Sequence, residues 1–158
     1  MGDVESCARI QADSWRKAYR DILPEEELAK RGYEQRIDRW KQIIAEGPEQ
    51  FVYEYNGKII GFVGVCEPRD DDLGKETLEL QGIYFAPEYL GLGFGRETIK
   101  FVLNKAKEEG YKRVSLWVFA ENGRAKRAYE KCGFRSDGKE KTVAMGRDVL
   151  EQRYICEV

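Results

Sequence analysis

The chain has 158 residues and no histidine, and its 27 Lys and Arg against 29 Asp and Glu give a net charge of −2. A chain of this length favours one domain, and we expect that domain to span residues 1–158. The missing imidazole excludes Ser-His-Asp and Cys-His catalysis and HExxH zinc sites. Proton transfer near neutral pH must therefore use Glu, Asp, Lys, Tyr, Cys or water.

The charge balance and the apolar pattern predict a soluble cytoplasmic protein that binds neither nucleic acid nor membranes. No apolar run approaches the roughly 18 residues of a membrane span, and the acidic start lacks a signal-peptide core. The cysteines lie far apart without a CxxC pair, which favours free thiols in a reducing compartment and no metal site. They are Cys7, Cys66, Cys132 and Cys156.

Apolar spacing predicts the elements of the first half of the chain. Residues 3–19 read as a helix with Asp3 as its N-cap. A second amphipathic helix precedes Gly47-Pro48, and its apolar positions are Ile37, Trp40, Ile43 and Ile44. Asn56-Gly57 between two apolar runs predicts a β-hairpin. A third strand follows near 77–85, after the acidic run 70–72, which predicts a solvated loop.

The second half alternates helices and strands. A helix from about Gly95 ends with Gly110 at C′, and strand 113–119 follows. Helix 123–132 ends at Gly133, with Phe134 expected to pack back on Tyr129 in a Schellman end. Two strands close the chain, near 140–146 and 150–157. The fold class is therefore α/β, with an α+β mixed sheet fed by an antiparallel hairpin.

A glycine-rich loop joins the third strand to the helix near Gly95. Its sequence is Leu90-Gly91-Leu92-Gly93-Phe94-Gly95-Arg96. Alternating glycines let backbone N–H groups approach a ligand, and the helix N-terminus attracts phosphate. The loop is therefore a candidate anion cradle, although a tight turn that binds nothing has the same spacing. It matches neither the P-loop nor the dinucleotide pattern.

A second motif downstream makes the first one specific. It comprises Asn122, Ala125, Tyr129, Gly133 and Phe134. Together, in this order and spacing, the two motifs resemble those of the GNAT superfamily of N-acetyltransferases. The resemblance spans most of the chain and implies the GNAT-like acyl-CoA N-acyltransferase fold.

Two features depart from the family pattern. Leu90 stands where the family loop has Arg or Gln, a side chain that helps to fix the loop. Family members also begin with a strand ahead of the first helix, and only Met1 and Gly2 precede that helix here. The first family strand is therefore expected to be absent, unless the encoded start lies upstream.

The resemblance implies acetyl-CoA as donor, a primary amine as acceptor and direct transfer without an acyl-enzyme. The strand near 83–85 is expected to splay from strand 113–119, so that its backbone pairs with pantetheine. The implied cofactor-binding residues are Ile83, Tyr84, Phe85, Leu90, Gly91, Leu92, Gly93, Phe94, Gly95, Arg96, Asn122 and Tyr129. The basic side chains that could reach the ribose phosphate, or be merely solvated, are Arg96, Lys100, Arg124 and Lys126.

Two residues are implied to carry the chemistry. Glu79 is the candidate base for the acceptor amine, with an ion pair or an exposed strand carboxylate as the alternative. Tyr129 is the candidate acid for the leaving thiolate, with a packed core aromatic as the alternative. A backbone N–H near Phe85 is the expected oxyanion donor. Strand alternation places Glu79, Gln81, Ile83 and Phe85 on one face.

Other functions remain open on the sequence. The runner-up is a GNAT-like module that binds CoA without turnover, and a weaker third is an unrelated phosphate-binding α/β protein. The acceptor, whether small molecule, polyamine or peptide, is expected to contact the helices at 15–45 and the tail strands. An uncovered edge strand would favour a homodimer.

Overall fold

The computed structural model describes residues 2–158, except for the side chain of Glu46. Within these residues the chain forms five α-helices and six strands. They are α1 Gly2–Tyr19, α2 Glu25–Ala29, α3 Tyr33–Glu46, β1 Glu49–Tyr55, β2 Lys58–Cys66, β3 Thr77–Phe85, α4 Phe94–Glu108, β4 Arg113–Phe119, α5 Gly123–Lys131, β5 Arg135–Ala144 and β6 Asp148–Glu157, with a 3-10 turn at Pro87–Tyr89. The predicted order is confirmed, apart from the additional short helix α2 and the earlier start of β5.

Local chemistry sets the ends of several elements. Asn56 and Gly57 both have positive φ, 51° and 74°, which confirms the hairpin turn. The Phe134 N–H donates to the Tyr129 carbonyl (3.2 Å). With Gly133 at φ 101°, this confirms the Schellman end of α5. Two expectations are wrong: α1 begins at Gly2, which places Asp3 inside its first turn, and Ile44 is 61% exposed.

The sheet has the order β1-β2-β3-β4-β6-β5, in which only β3 and β4 are parallel. Helices α4 and α5 cover one face, which we call the α4 face. On the opposite α1 face, α1 and α3 pack on β2 and β3, while α2 and the end of α1 pack on β4 and β6. None of the helices in residues 2–158 combines the length and apolar character needed to cross a bilayer.

Strands β3 and β4 form a V. They pair only over Thr77–Glu79 and Arg113–Ser115, at the start of each strand. Beyond Glu79 the partners separate, so the carboxyl-terminal halves of β3 and β4 enclose a gap in the sheet. The predicted splay is confirmed.

A β-bulge lies on β3 just above the apex of this V. Gly64 pairs with Gly82 and Val65 with Leu80, which leaves Gln81 without a partner on β2. The extra residue shifts the alternation of side chains. Leu80 and Ile83 consequently both pack on the α4 face. The expectation that Ile83 shares a face with Glu79 is therefore wrong.

Candidate active site

The backbone of β3 faces the gap at its carboxyl end. The Ala86 N–H donates to the Ile60 carbonyl on β2 at 2.9 Å. Because successive residues of an antiparallel strand bond alternately to either side, the N–H and C=O groups of Ile83 and Phe85 point away from β2. Strand β4 has separated there. The gap is therefore edged by backbone donors and acceptors that an extended ligand can pair with.

The glycine-rich loop forms an N–H cradle where β3 leads into α4. Gly91 and Gly93 have φ of 80° and 95°, which only glycine adopts readily. The first helical hydrogen bond runs from the Glu97 N–H to the Gly93 carbonyl (3.1 Å). The N–H groups of residues 94–96 therefore have no acceptor within the helix. Together with the helix dipole, these free N–H groups make the loop suitable for binding a diphosphate.

The basic residues proposed for the ribose phosphate differ in position. Arg124 lies close to the cradle, since its Nη2 atom is 3.9 Å from where a Cβ on Gly91 would stand. Arg96 and Lys100 are exposed on the first turns of α4. Lys126 is engaged elsewhere, because its Nζ donates to the Ala120 carbonyl at 3.2 Å. Leu90 ends the 3-10 turn and is partly buried.

Three tyrosines lie beside the gap. Tyr84 and Tyr19 come from the α1 face, whereas Tyr129 comes from α5 on the α4 face. Burial, and next the neighbouring phenol of Tyr84, raise the pKa of Tyr129 well above its usual value. Burial also raises the pKa of Tyr19, with Tyr84 and Tyr129 adding to the effect. Residues from both faces of the sheet are thus placed near the point where β3 and β4 separate.

Helix α5 fixes the position of Tyr129. The Asn122 side chain caps the helix by accepting a hydrogen bond from the Ala125 N–H at 3.2 Å. At the other end, the Tyr129 and Phe134 rings lie 5.7 Å apart. Tyr129 is thus packed against the core, as one of the two interpretations expected, and its role as an acid stays a prediction.

Glu79 forms an ion pair at the apex of the V. Its side chain is 1% exposed, and the Arg69 backbone N–H donates to Oε2 at 2.9 Å. The Arg69 Nε donates to Oε1 at 3.0 Å, and Nη2 contacts the same oxygen. These hydrogen bonds raise the pKa of Arg69. The ion pair that the sequence left as an alternative is therefore present, and it does not connect Glu79 with Tyr129.

The loop that carries Arg69 is fastened to the sheet. Arg153 on β6 is 3% exposed. It donates through Nη1 and Nη2 to Asp72 (2.7 and 2.8 Å) and through Nε to Asp137 (2.8 Å). Asp70 accepts from the Trp117 Nε1 at 2.8 Å. The acidic run is therefore anchored by a buried arginine. The expectation of a solvated loop is wrong for Asp70, which is partly buried, whereas Asp71 and Asp72 are exposed as expected.

Sequence reasoning missed two charged residues near the gap. Arg36 on α3 lies over Trp15 of α1, with its guanidinium carbon 5.1 Å from the centroid of the indole ring. Glu151 on β6 raises the pKa of both Tyr19 and Tyr84. Arg36 is one of several charged residues of an amphipathic helix, and Glu151 lies in an alternating strand, so no local spacing distinguishes them from surface charges. Both belong to the α1 side of the gap, opposite the glycine-rich loop.

The model of the Acetyltransferase (GNAT) family matches residues 9–134 of the chain. The chain belongs to this family. The GNAT assignment confirms the resemblance inferred from the two motifs, and it confirms the prediction of an acyltransferase.

Named relatives agree with this assignment. The uncharacterized N-acetyltransferase YuaI of Bacillus subtilis is 28% identical over 123 residues, which are 77% of this GNAT chain and 69% of YuaI. The uncharacterized N-acetyltransferase MJ1207 of Methanocaldococcus jannaschii is 36% identical over 97 residues, 61% of this chain. The match spans only 41% of MJ1207, less than two thirds of its length.

The fold prediction is confirmed by solved GNAT structures. The PaiA N-acetyltransferase of Thermoplasma acidophilum, crystallised in complex with coenzyme A, superposes with a TM-score of 0.74. That comparison covers 99% of this chain and 94% of the other, at 19% identity.

Proposed function

We propose that this protein transfers the acetyl group of acetyl-CoA to a primary amine of a small molecule, polyamine or peptide, directly within a ternary complex. The observation that carries the proposal is the gap between β3 and β4. The N–H cradle of residues 91–96 lies beside it, and Tyr129 and Tyr84 pack near it on opposite faces of the sheet. Such a gap lets donor and acceptor meet from opposite sides of the sheet.

The donor would bind along the α4 side of the gap. The N–H groups of residues 94–96 would hold the pyrophosphate, and Arg124 lies close enough to contact a neighbouring phosphate. Backbone groups of Ile83 and Phe85 would pair with the pantetheine amides. This assignment uses backbone donors, so Leu90 in place of Arg or Gln removes none of them.

The chain's own groups would then handle charge and protons. The Phe85 N–H faces the gap and would stabilise the oxyanion that forms on attack. The raised pKa of Tyr129 keeps its phenol protonated at neutral pH, so it can protonate the departing thiolate. Glu79, directly or through water, would take the proton of the acceptor ammonium, whose pKa is about 10.4 when unperturbed.

Ligand-dependent stability tests the donor. Acetyl-CoA and CoA should raise the melting temperature, whereas ATP and NAD should not, because only a ligand of the native state stabilises it. Release of free thiol over a panel of amines then measures turnover. Failure of CoA and acetyl-CoA to stabilise the protein would refute the proposal. Stabilisation without turnover on any amine would instead favour a CoA-binding module.

A pair of variants tests Glu79 as the base. Glu79→Gln should remove the acidic limb of the kcat/KM–pH profile, because the limb reports protonation of the base. Arg69→Met should retain turnover, because the carboxylate stays in place when only its cation is removed. If both variants lose stability but keep the original profile, the pair only anchors the loop and another base acts.

A further inference from the structure

Arg36 presents hydrogen-bond donors that no group of the described residues accepts. Its Nε and Nη2 atoms are buried and have no partner. The guanidinium forms no ion pair within the described part of the chain, and the charged side chain near it is that of Arg31. A buried donor without an acceptor is costly, and a charged one more so. Such an arrangement indicates a missing anion.

Trp15 adds a third donor at the same place. Its indole Nε1 is also buried without a partner. The guanidinium carbon of Arg36 lies 5.1 Å from the centroid of the Trp15 ring. The two side chains come from different helices, α1 and α3, so the cluster is built by the tertiary fold. The free polar atoms of Arg36 and Trp15 are all hydrogen-bond donors.

The surrounding charges increase the positive potential. Arg31 lies over the same indole, with its guanidinium carbon 5.6 Å from the ring centroid. Arg31 is itself paired with Glu27 at 3.0 Å. Burial, rather than the neighbouring arginine, is the main reason that the pKa of Arg36 is lowered. Arg36 is therefore the cation of this cluster that has a cation–π contact with Trp15 but no carboxylate partner among the described residues.

The geometry of the free donors selects the ligand. Nε and Nη2 lie on the same edge of the planar guanidinium, which matches the two oxygens of a carboxylate. Trp15 connects this cluster to the gap, because its ring lies 4.4 Å from that of Tyr19, which in turn lies 4.8 Å from the ring of Phe119 at the carboxyl end of β4. We propose that Arg36 and Trp15 bind a carboxylate of the acceptor, so that the substrates are primary amines of the amino-acid class. This inference rests on the proposed acetyl transfer.

Binding of product analogues tests the site without requiring turnover. N-acetyl derivatives of the standard amino acids should raise the melting temperature of the CoA-loaded protein, and their carboxamides should not. Arg36→Met should abolish this effect while folding normally, because it removes buried donors that lack partners. Arg36→Lys keeps the charge but loses the parallel pair of N–H donors, so N-acetyl amino acids should stabilise this variant little. Arg39→Met, an exposed arginine on the same helix, should behave as the parent protein.

Kinetics give the second readout. For a free amino acid, Arg36→Met should raise KM roughly 10- to 100-fold and change kcat little, because a hydrogen-bonded charge pair has that magnitude. For the corresponding amino-acid amide, Arg36→Met should have the same KM and kcat as the parent protein. Equal stabilisation by acids and amides, or none by any acid on the CoA-loaded protein, would overturn the carboxylate site. Absence of CoA binding would instead refute the proposed function.

Discussion

Replacing Tyr129 with phenylalanine should lower kcat for acetyl transfer by about 10²- to 10⁴-fold, the range of a general acid. The ring keeps its contact with Phe134, 5.7 Å away, so packing is retained and only the hydroxyl is lost. The dissociation constant for CoA should stay within about a factor of two, because the phenol is expected to act on the thiolate as it leaves. Stopped-flow kinetics and calorimetry measure the two quantities.

The pH dependence has a definite sign. An acid works only while it is protonated. Because the pKa of Tyr129 is raised, the rate of the parent enzyme should fall only at pH values above the usual pKa range of tyrosine. Tyr154→Phe is the matched control, because its hydroxyl donates to Glu130 on the same helix (3.1 Å) but outside the gap. An equal fall in kcat for both variants would assign Tyr129 a packing role alone.

Gly93→Ala should weaken CoA binding by roughly 10- to 100-fold, the equivalent of one or two charge-assisted hydrogen bonds. Gly93 has φ 95°, and no atom lies within 4 Å of where its Cβ would stand. The methyl group would project into the open space of the cradle, and the strain would turn the following N–H groups away from it. Calorimetric titration with CoA measures the change.

Gly110→Ala separates strain from ligand binding. Gly110 follows the other end of α4, with φ 86° and equally open space at its Cβ position. Both variants should lose about 1–2 kcal/mol of stability, the cost of left-handed backbone for a residue with a side chain. Only Gly93→Ala should lose CoA affinity. Comparable losses of affinity would mean that the loop is a turn and not a phosphate cradle.

Local chemistry explains why much of the fold was predictable. Asn56-Gly57 and Gly133 require backbone conformations that few other residues adopt, so each indicates its turn without reference to the remaining chain. In the same way, the glycines of the loop at 90–96 indicate the backbone conformation of that loop. The V between β3 and β4 was expected from the family resemblance and not from any residue pattern.

Long-range pairs explain what the sequence did not reveal. The contact of Arg153 with Asp72 joins residues 81 positions apart, and an acidic run in a loop has the same composition whether it is solvated or clamped. The ion pair between Arg69 and Glu79 equally depends on how the loop folds back over β3. Arg36 was missed because its significance lies in the absence of a partner, which only a three-dimensional arrangement can show.

The bulge at Gln81 decides which residues can be exchanged to change specificity. With the extra residue, Glu79 and Tyr84 share the α1 face although an odd number of positions separates them, while Leu80 and Ile83 point to α4. Deleting Gln81 would close the bulge, because Leu80 and Gly82 already pair with the adjacent residues Val65 and Gly64, and every side chain beyond it would keep its face. Libraries that reshape the proposed acceptor side should therefore vary Tyr84 on the α1 face. A natural one-residue deletion at Gln81 would reduce the local twist of β3 and leave the division of side chains between the two faces unchanged.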